Sequence, residues 1–494
     1  MGIVIRQSIK ASIVNYIGAF IGFLTMMFVV TKFLSPEDIG LRSVIYEVAL
    51  LFATLAQLGT SSSIMRFFPY FRNEEKNHNG FFFYILVLPL IGCVVFIPLY
   101  LVLKEPIISF FGKESQLFTS YYYWVIPLII FLAFWSVFES YSNVNMRIVV
   151  PKMVREVIVR LLLVVIYLLY GFHVINRDGF ISTFIAVYGI ALLIMFFYIS
   201  RIAPISLKHD NSFVNKPLRK DIKNYTLVLI VGALGNSILG KLDLFMVSSE
   251  LGFDFAGIYT IAFYMGTIID IPARSITAIS TPIAANALQK GDIDEANKLY
   301  KKVSLNQLII GGLLFVLVWI NIDNIFRIIP NGDIYAQGKW VVFFIALSKL
   351  VAMTLSFGGI LISFSRYYYW SIFFTFIITA LGIITNYLLI PIFGISGAAI
   401  ASLIATILSY GFQQWVVLRK IKGNPYTKGT LKMLLSIFAL FAINYFIPNL
   451  SNVWIDIVLR TAAIGAIAFF AIYFGKISGD MNEIVNSIFS RLRK

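Results

Sequence analysis

The chain has 494 residues, of which 59% are hydrophobic and only 13% charged, and its mean hydropathy is +0.86. This composition excludes an ordinary water-soluble domain, because no such core can bury so much apolar sequence. The formal net charge of +16 would suggest a nucleic acid partner in a soluble chain. Here the basic residues lie between apolar runs, so we interpret them as signals of membrane orientation and expect no nucleic acid partner.

Apolar runs long enough to cross a membrane recur along the whole chain. About 20 helical residues cross the roughly 30 Å of hydrocarbon. The first run is too long for the apolar part of a signal peptide and is followed by no cleavage pattern, so we expect it to remain as a span. Fourteen spans are predicted, at residues 9–31, 41–65, 80–103, 119–145, 154–171, 179–200, 224–249, 256–285, 303–321, 339–363, 367–390, 395–418, 431–447 and 453–475.

The connections between spans are alternately rich and poor in Lys and Arg. Basic residues near helix ends resist translocation, so the rich connections are predicted to lie in the cytoplasm. Both termini are then cytoplasmic, which requires an even number of spans. When residues near span ends are counted with the adjacent connection, only Lys241, Arg274 and Lys349 are left within spans.

An internal repeat divides the chain. Leu34, Gly40, Val44 and Tyr46 match Leu251, Gly257, Ile261 and Phe263 at an offset of 217 residues, and Glu105, Ile107, Phe110 and Gly179 match Asp323, Ile325, Ile328 and Gly397 at 218. The repeat predicts an N-lobe at 1–215, a C-lobe at 216–430, and a final pair of spans with a cytoplasmic tail at 431–494. Six spans in each lobe make the two repeats parallel, and we expect a substrate cavity between them.

Three segments carry a family resemblance. They are LSPEDIGL at 34–41, after a first span with Ser8, Asn15 and Gly18, then LGTSSSIMRFFP at 58–69 and NYLLIPIFGISGAAIAS at 386–402. The chain resembles the Wzx-type oligosaccharide flippases of the multidrug/oligosaccharidyl-lipid/polysaccharide (MOP) exporter superfamily over nearly its whole length.

The resemblance implies an all-α integral membrane protein of about fourteen helices with the MOP, or MATE-like, fold. It implies translocation of an undecaprenyl-diphosphate-linked oligosaccharide to the outer leaflet of the bacterial cytoplasmic (inner) membrane by alternating access, for cell-surface polysaccharide such as O-antigen. Glycosyltransferases and a polysaccharide polymerase are the expected protein partners. Drug exporters of the superfamily typically have twelve spans, so the additional pair favours a lipid-linked substrate.

Charged residues within spans are the candidate functional groups, because an ionised group at the bilayer centre costs about 2.5–3.5 kcal/mol by insertion scales. A diphosphate needs fixed cations along its path. Lys241, Arg274 and Lys349 are the predicted diphosphate-binding residues. Arg66 and Arg147, near the cytoplasmic ends of the second and fourth spans, would make the mouth of that path positive.

Pairing within the protein is the alternative for these cations. Asp270 and Arg274 are four residues apart on one helix face and would neutralise each other. Lys241 and Asp243 point to different sides of their helix, so each needs a partner on another helix. Asp270, Asp243 and Glu139 are candidates for coupling transport to H⁺ or Na⁺, and Pro272 predicts a bend beside Asp270.

Other signals are interpreted as not functional. The segment GNSILGK at 235–241 has phosphate-loop spacing, but Leu242 follows it and no strand precedes it. One cysteine, Cys93, and three isolated histidines predict neither a disulfide nor a metal site, and no cofactor is expected. A small-molecule or drug antiporter of the same superfamily is the main alternative function. A membrane enzyme acting on lipid-linked glycans is disfavoured, because the outer connections are too short to hold a catalytic domain.

Overall fold

A computed structural model describes residues 2–73, 75–112, 115–202, 221–222, 225–226, 241–367, 369–448 and 450–492. All regular secondary structure within these ranges is helical. The prediction of an all-α membrane protein is therefore confirmed. Twelve helices in the described ranges are long and apolar enough to cross a membrane: Ile13–Phe33, Pro36–Phe71, Asn77–Val102, Gln116–Val144, Arg177–Ile202, Phe253–Thr277, Ile293–Ile320, Gly332–Leu355, Phe373–Phe393, Ile395–Ile421, Lys428–Phe446 and Val453–Phe474.

These twelve helices coincide with twelve of the fourteen predicted spans. The predicted fifth span, 154–171, is helical throughout but carries Arg155, Glu156 and Arg160, which makes it more polar than the others. Most of the predicted seventh span, 224–249, lies outside the described residues.

The chain divides into two compact units, Met1–Gly257 and Ile258–Lys494. The lobe boundary predicted at 215/216 lies outside the described residues, and the predicted lobes stay predictions. The α-helices that the structure describes in the first unit are, in chain order, Gly2–Leu24, Thr31–Phe33, Pro36–Ala56, Thr60–Phe71, Phe81–Val102, Lys104–Phe110, Ser115–Tyr121, Val125–Val144, Val149–Met153, Val159–Gly171, Arg177–Ile202 and Leu242–Leu251.

Two of the first unit's helices pass through π-helical turns. The first joins Gly2–Leu24 to Thr31–Phe33 through Thr25–Val30, and the other joins Val149–Met153 to Val159–Gly171 through Val154–Ile158. Such turns are rare and frequently lie at functional sites. The second places Arg155 and Glu156 on the widened turn.

The Pro36–Ala56 helix begins at a strong sequence signal. Ser35 caps it by accepting a hydrogen bond from the Asp38 amide, and Pro36 stands in its first turn. It ends at residues 57–59, where Leu58 and Gly59 take left-handed backbone angles before the Thr60–Phe71 helix begins. The predicted span 41–65 is therefore two helices with a break.

The second unit is also helical, and its buried core is formed mainly by Ile, Ala, Leu and Val side chains. The Phe253–Thr267 helix begins in the first unit and leads into the second. The helices that follow are Ile271–Gln289, Ile293–Ile320, Ile322–Ile328, Gly332–Tyr335, Lys339–Leu355, Phe357–Ser363, Trp370–Phe393, Ile395–Val416, Lys428–Phe446, Val453–Phe474 and Gly479–Leu492.

A buried ion pair lies near the start of the Val453–Phe474 helix. Arg460 is 3.2 Å from Asp456, and both side chains are almost fully buried. Asn324 donates a hydrogen bond to Asp456, and Arg460 donates one of 2.7 Å to Asn444. The pair thus connects the last two long helices to the short Ile322–Ile328 helix.

Helix boundaries recur at the offset of the internal repeat. The seven-residue helices Lys104–Phe110 and Ile322–Ile328 are 218 residues apart, and each follows the end of a long apolar helix. The Arg177–Ile202 and Ile395–Val416 helices begin at the same offset. These helix starts therefore agree with the offset found in the sequence.

Two glycines that the repeat aligns make reciprocal contacts. A Cβ atom on Gly40 would lie 2.0 Å from the carbonyl oxygen of Phe253, and one on Gly257 would lie 1.9 Å from that of Pro36. Pro36 and Phe253 are themselves equivalent in the repeat, and each is the first residue of its helix. The first turns of the two helices are therefore in direct backbone contact at both glycines, and neither position has room for a side chain.

Candidate functional site

Lys241 is paired with a carboxylate on another helix. Its Nζ is 2.7 Å from Oε1 of Glu47, which lies in the middle of the Pro36–Ala56 helix. The Glu47 side chain is 8% exposed and that of Lys241 is 40% exposed. The interhelix pair expected for Lys241 is present, and the cation still reaches the surface of the unit.

A second pair in the same unit joins Glu139 to Arg155. Arg155 is 3.5 Å from Glu139, and Trp135 donates a 3.2 Å hydrogen bond to the same carboxylate. The arginine is again the more exposed partner, at 59% against 20%. Neighbouring Arg160 is bonded to Glu156 at 2.6 Å and to the Gly18 carbonyl, so it holds the first helix in place.

Tyr46 connects the two pairs. Its hydroxyl is within electrostatic range of Glu47 and Arg155, and also of Arg42 and Glu156. Arg42 donates a hydrogen bond to the hydroxyl of Tyr167. The first unit therefore contains an extended group of charged and hydroxyl side chains inside its membrane-spanning helices.

In the second unit, Asp270 interacts with two of the predicted cations. Arg274 is 3.9 Å from its carboxylate, and Lys349 is close enough to interact with it electrostatically. The Nζ of Lys349 also lies 5.7 Å from the ring centre of Phe263. Arg274 is 81% exposed and Asp270 33%. The predicted pairing of Asp270 with Arg274 is thus present, with 3.9 Å between the charged atoms, and Arg274 is the more exposed partner.

The helix that carries Asp270 changes geometry at this residue. The Phe253–Thr267 helix gives way to a 3₁₀ turn at Ile268–Asp270, and Pro272 lies in the first turn of the helix that follows. Proline has no amide hydrogen to donate, so the regular α-helical bonding is interrupted. The sequence located this interruption correctly.

The remaining predicted residues lie apart from these pairs. Arg66 is exposed on the Thr60–Phe71 helix and stacks on the ring of Tyr225 at 4.3 Å. Arg147 is exposed in the turn after the Val125–Val144 helix. Asp243 is half-buried in the first turn of the Leu242–Leu251 helix. No described contact joins Arg66 or Arg147 to the paired cations.

Four arginines correct the expectation that Lys241, Arg274 and Lys349 are the basic residues within spans. The count assigned these four arginines to the connections because they lie near the ends of spans. Their side chains nevertheless contact other residues of the predicted spans, as described above. Arg42 and Arg155 have partners on other helices, which leave no local sequence signal, whereas Arg160 and Arg460 each pair with an acid four residues away on their own helix. These residues are Arg42, Arg155, Arg160 and Arg460.

The two acids of the segment at 34–41 lie in a separate group of contacts. Glu37 and Asp38 bind Arg177 at 3.0 and 2.8 Å, and Tyr170 donates a 2.9 Å hydrogen bond to Asp38. Asp38, Tyr170 and Arg177 border a cavity of about 510 Å³ that His173 also lines. The contacts fasten the start of the Pro36–Ala56 helix to the start of the Arg177–Ile202 helix.

Known proteins with this fold are membrane transport proteins. An inward closed conformation of the lipid II flippase MurJ superposes with a TM-score of 0.74 at 17% identity, covering 95% of this chain and all of the other. An inward-facing multidrug resistance MATE transporter of the MOP superfamily superposes with a TM-score of 0.64 at 16% identity, covering 84% and 99%. At such identities the likeness shows the fold alone.

The chain therefore has the fold of these two proteins, with twelve candidate membrane-spanning helices in its described part. Among curated sequences, an uncharacterized membrane protein of Methanocaldococcus jannaschii, MJ1068, is 23% identical in an alignment of length 486 that covers 92% of each chain. The sequence model described as polysaccharide biosynthesis protein matches residues 4–288. The chain belongs to this polysaccharide biosynthesis protein family.

Proposed function

We propose that the protein is a flippase that moves an undecaprenyl-diphosphate-linked oligosaccharide from the cytoplasmic to the outer leaflet by alternating access, without catalysing a chemical reaction. The family supplies the connection with polysaccharide biosynthesis. The glycosyltransferases and polymerase of the same process are its proposed partners. The proposed location is the cytoplasmic (inner) membrane of a bacterium, with both termini inside.

One observation carries the proposal. In each of the pairs Lys241–Glu47, Arg155–Glu139 and Arg274–Asp270, the cation is at least twice as exposed as its acid. A charged group exposed on a membrane-spanning helix is expected to face a water-filled path, because contact with lipid tails is unfavourable. Cations presented in this way suit an anionic substrate such as a diphosphate, whose oxygens form strong charge-assisted hydrogen bonds.

The path is proposed to use Lys241, Arg274 and Lys349 for the diphosphate, with Arg66 and Arg147 attracting it from the cytoplasmic side. Arg155 joins this set because of its 59% exposure. Asp270, Asp243 and Glu139 are proposed sites of coupling to H⁺ or Na⁺, since acids beside a wet path exchange such ions. No metal or organic cofactor is proposed.

Flipping of a fluorescent undecaprenyl-diphosphate oligosaccharide in proteoliposomes tests the proposal. We expect flipping by the native chain and its loss in folded Lys241→Ala, Arg274→Ala and Lys349→Ala variants. Lys302→Ala is the matched control, because Lys302 forms a surface pair with Asp480 and should leave flipping unchanged.

Two other results would change the conclusion. Normal flipping in all three variants would show that the replaced cations have only a structural role, and the proposal of a flippase would stand. No flipping by the native chain under any ion gradient, together with binding of amphipathic organic cations, would instead favour a small-molecule antiporter.

A further inference from the structure

Glu47 is the most enclosed acid of the three pairs. Its side chain is 8% exposed, and Lys241 binds only one of its two carboxylate oxygens. The other oxygen, Oε2, is buried and accepts no hydrogen bond from the described residues. The charge on this carboxylate is therefore compensated from one side only.

Other charged groups near Glu47 have partners of their own. Arg42 is bonded to the hydroxyls of Tyr167 and Ser43. Arg155, which interacts with Tyr46, is paired with Glu139. Tyr188 is also within electrostatic range of Glu47. None of these contacts places a second cation on the carboxylate.

The helices packed against Pro36–Ala56 add no further cation to Glu47. The Phe81–Val102 helix has no charged residue, and its titratable side chains are Tyr84, Cys93 and Tyr100. The Val125–Val144 helix contributes Glu139, which is already paired, and Tyr141. The Leu242–Leu251 helix follows Lys241 directly and adds the acids Asp243 and Glu250. Lys241 is thus the one cation that binds Glu47 in the described part of the chain.

Movement of Lys241 to an anionic substrate would leave Glu47 as a buried carboxylate without a counter-ion. A buried charge of this kind is strongly unfavourable, and the group takes up a proton instead. Glu139 and Asp270 differ from it: Glu139 keeps the hydrogen bond from Trp135, and Asp270 interacts with both Arg274 and Lys349. The consequence of losing one cation is therefore greatest at Glu47.

We propose that Glu47 is a proton-binding site, and that it takes up one proton when Lys241 transfers its hydrogen bond from the carboxylate to the substrate's diphosphate. This inference rests on the proposed function. An O–H bond forms at Glu47 with a proton from water, no covalent bond of the substrate breaks, and no electrons are transferred. The proton offsets one of the two negative charges that the diphosphate brings into the membrane.

Calorimetry on the full-length protein in detergent tests the inference. The probe is a water-soluble short-chain prenyl diphosphate that carries one N-acetylhexosamine, because the phosphates of such a diester do not titrate between about pH 5 and 8. Titrations in two buffers with different ionisation enthalpies give the number of protons taken up. We expect close to one proton taken up for each probe molecule bound. In the pH range where a full proton is taken up, the affinity for the probe should fall about tenfold for each unit by which the pH rises.

Glu47→Gln should abolish both the proton uptake and the pH dependence, because the amide carries no charge to neutralise. Glu105→Gln is the matched control, since Glu105 is exposed on the short Lys104–Phe110 helix, and it should behave as the native chain does. Binding without proton uptake by the native chain would overturn the inference and leave the flippase in place, and this measurement needs no variant. Uptake that persists in Glu47→Gln would also overturn it. No binding of the probe at any pH would overturn both the inference and the proposed function.

Discussion

Gly40 and Gly257 occupy equivalent positions in the two repeats, and each lies against the main-chain carbonyl that begins the other's helix. The contact is reciprocal, as expected for two helix starts related by a two-fold axis. Close approach of two backbones of this kind requires glycine, because any side chain would occupy the space of the facing carbonyl.

Alanine at either glycine should disturb this crossing. The added Cβ of Gly40→Ala or Gly257→Ala would meet backbone atoms that cannot rotate away, so the helices must separate. We expect a loss of about 1–3 kcal/mol in the free energy of unfolding. Thermal unfolding in detergent measures it, with Gly411→Ala as the control, since a Cβ there meets no atom within 4 Å. Unchanged stability in both variants would show that the contact is loose.

A double-mutant cycle on Lys241 and Glu47 distinguishes a role in stability from a role in transport. Lys241→Gln leaves a buried carboxylate and should cost about 1–3 kcal/mol of stability, less than a fully enclosed pair because Lys241 is 40% exposed. The double variant Lys241→Gln/Glu47→Gln should recover most of that stability, yet it should not flip the lipid-linked glycan. Recovery of both stability and flipping would mean that Lys241 only supports the fold.

Arg460 should be important for stability, because its pair with Asp456 is buried on both sides. Arg460→Met leaves the Asp456 charge uncompensated, and we expect a loss of about 3–5 kcal/mol. The surface pair Lys302–Asp480 provides the comparison, since Lys302→Ala should cost no more than about 1 kcal/mol. Denaturation in detergent measures both variants. Equal losses would contradict the assignment of Asp456–Arg460 as a structural anchor.

Membrane orientation can be tested with single cysteines in a Cys93→Ser background. Asp294 and Asp333 are both exposed; Asp294 lies in the first turn of the Ile293–Ile320 helix, and Asp333 lies beyond the other end of that helix, in the short Gly332–Tyr335 helix. The distribution of basic residues predicts that a membrane-impermeant maleimide added outside intact cells labels Asp333→Cys and not Asp294→Cys. The opposite labelling pattern would invert the proposed topology.

Sequence alone predicted the twelve spans that described helices match, and it indicated the repeat, because both leave local signals. Apolar runs have the length that the bilayer requires, and the short helices at 104–110 and 322–328 carry matching residues. The interruption beside Asp270 was also predictable, because Pro272 cannot continue regular helical bonding. Each of these features is determined by residues that are neighbours in the chain.

Pairings between helices could not be predicted in the same way. Glu47 and Lys241 are far apart in sequence, and nothing near either residue identifies the other. Arg155 was counted with a connection because it lies near the end of its span, although it pairs with Glu139 on another helix. The π turn that carries Arg155 also has no sequence signal as clear as a proline.

The matching helix boundaries have a consequence for the chemistry of the two halves. At the offset of the repeat, Glu47 corresponds to Tyr264, Asp270 to Ala53 and Lys349 to Phe131. At these positions the two halves share a helical framework and differ in charge. A matching framework with unequal charges gives each half of the chain its own chemistry.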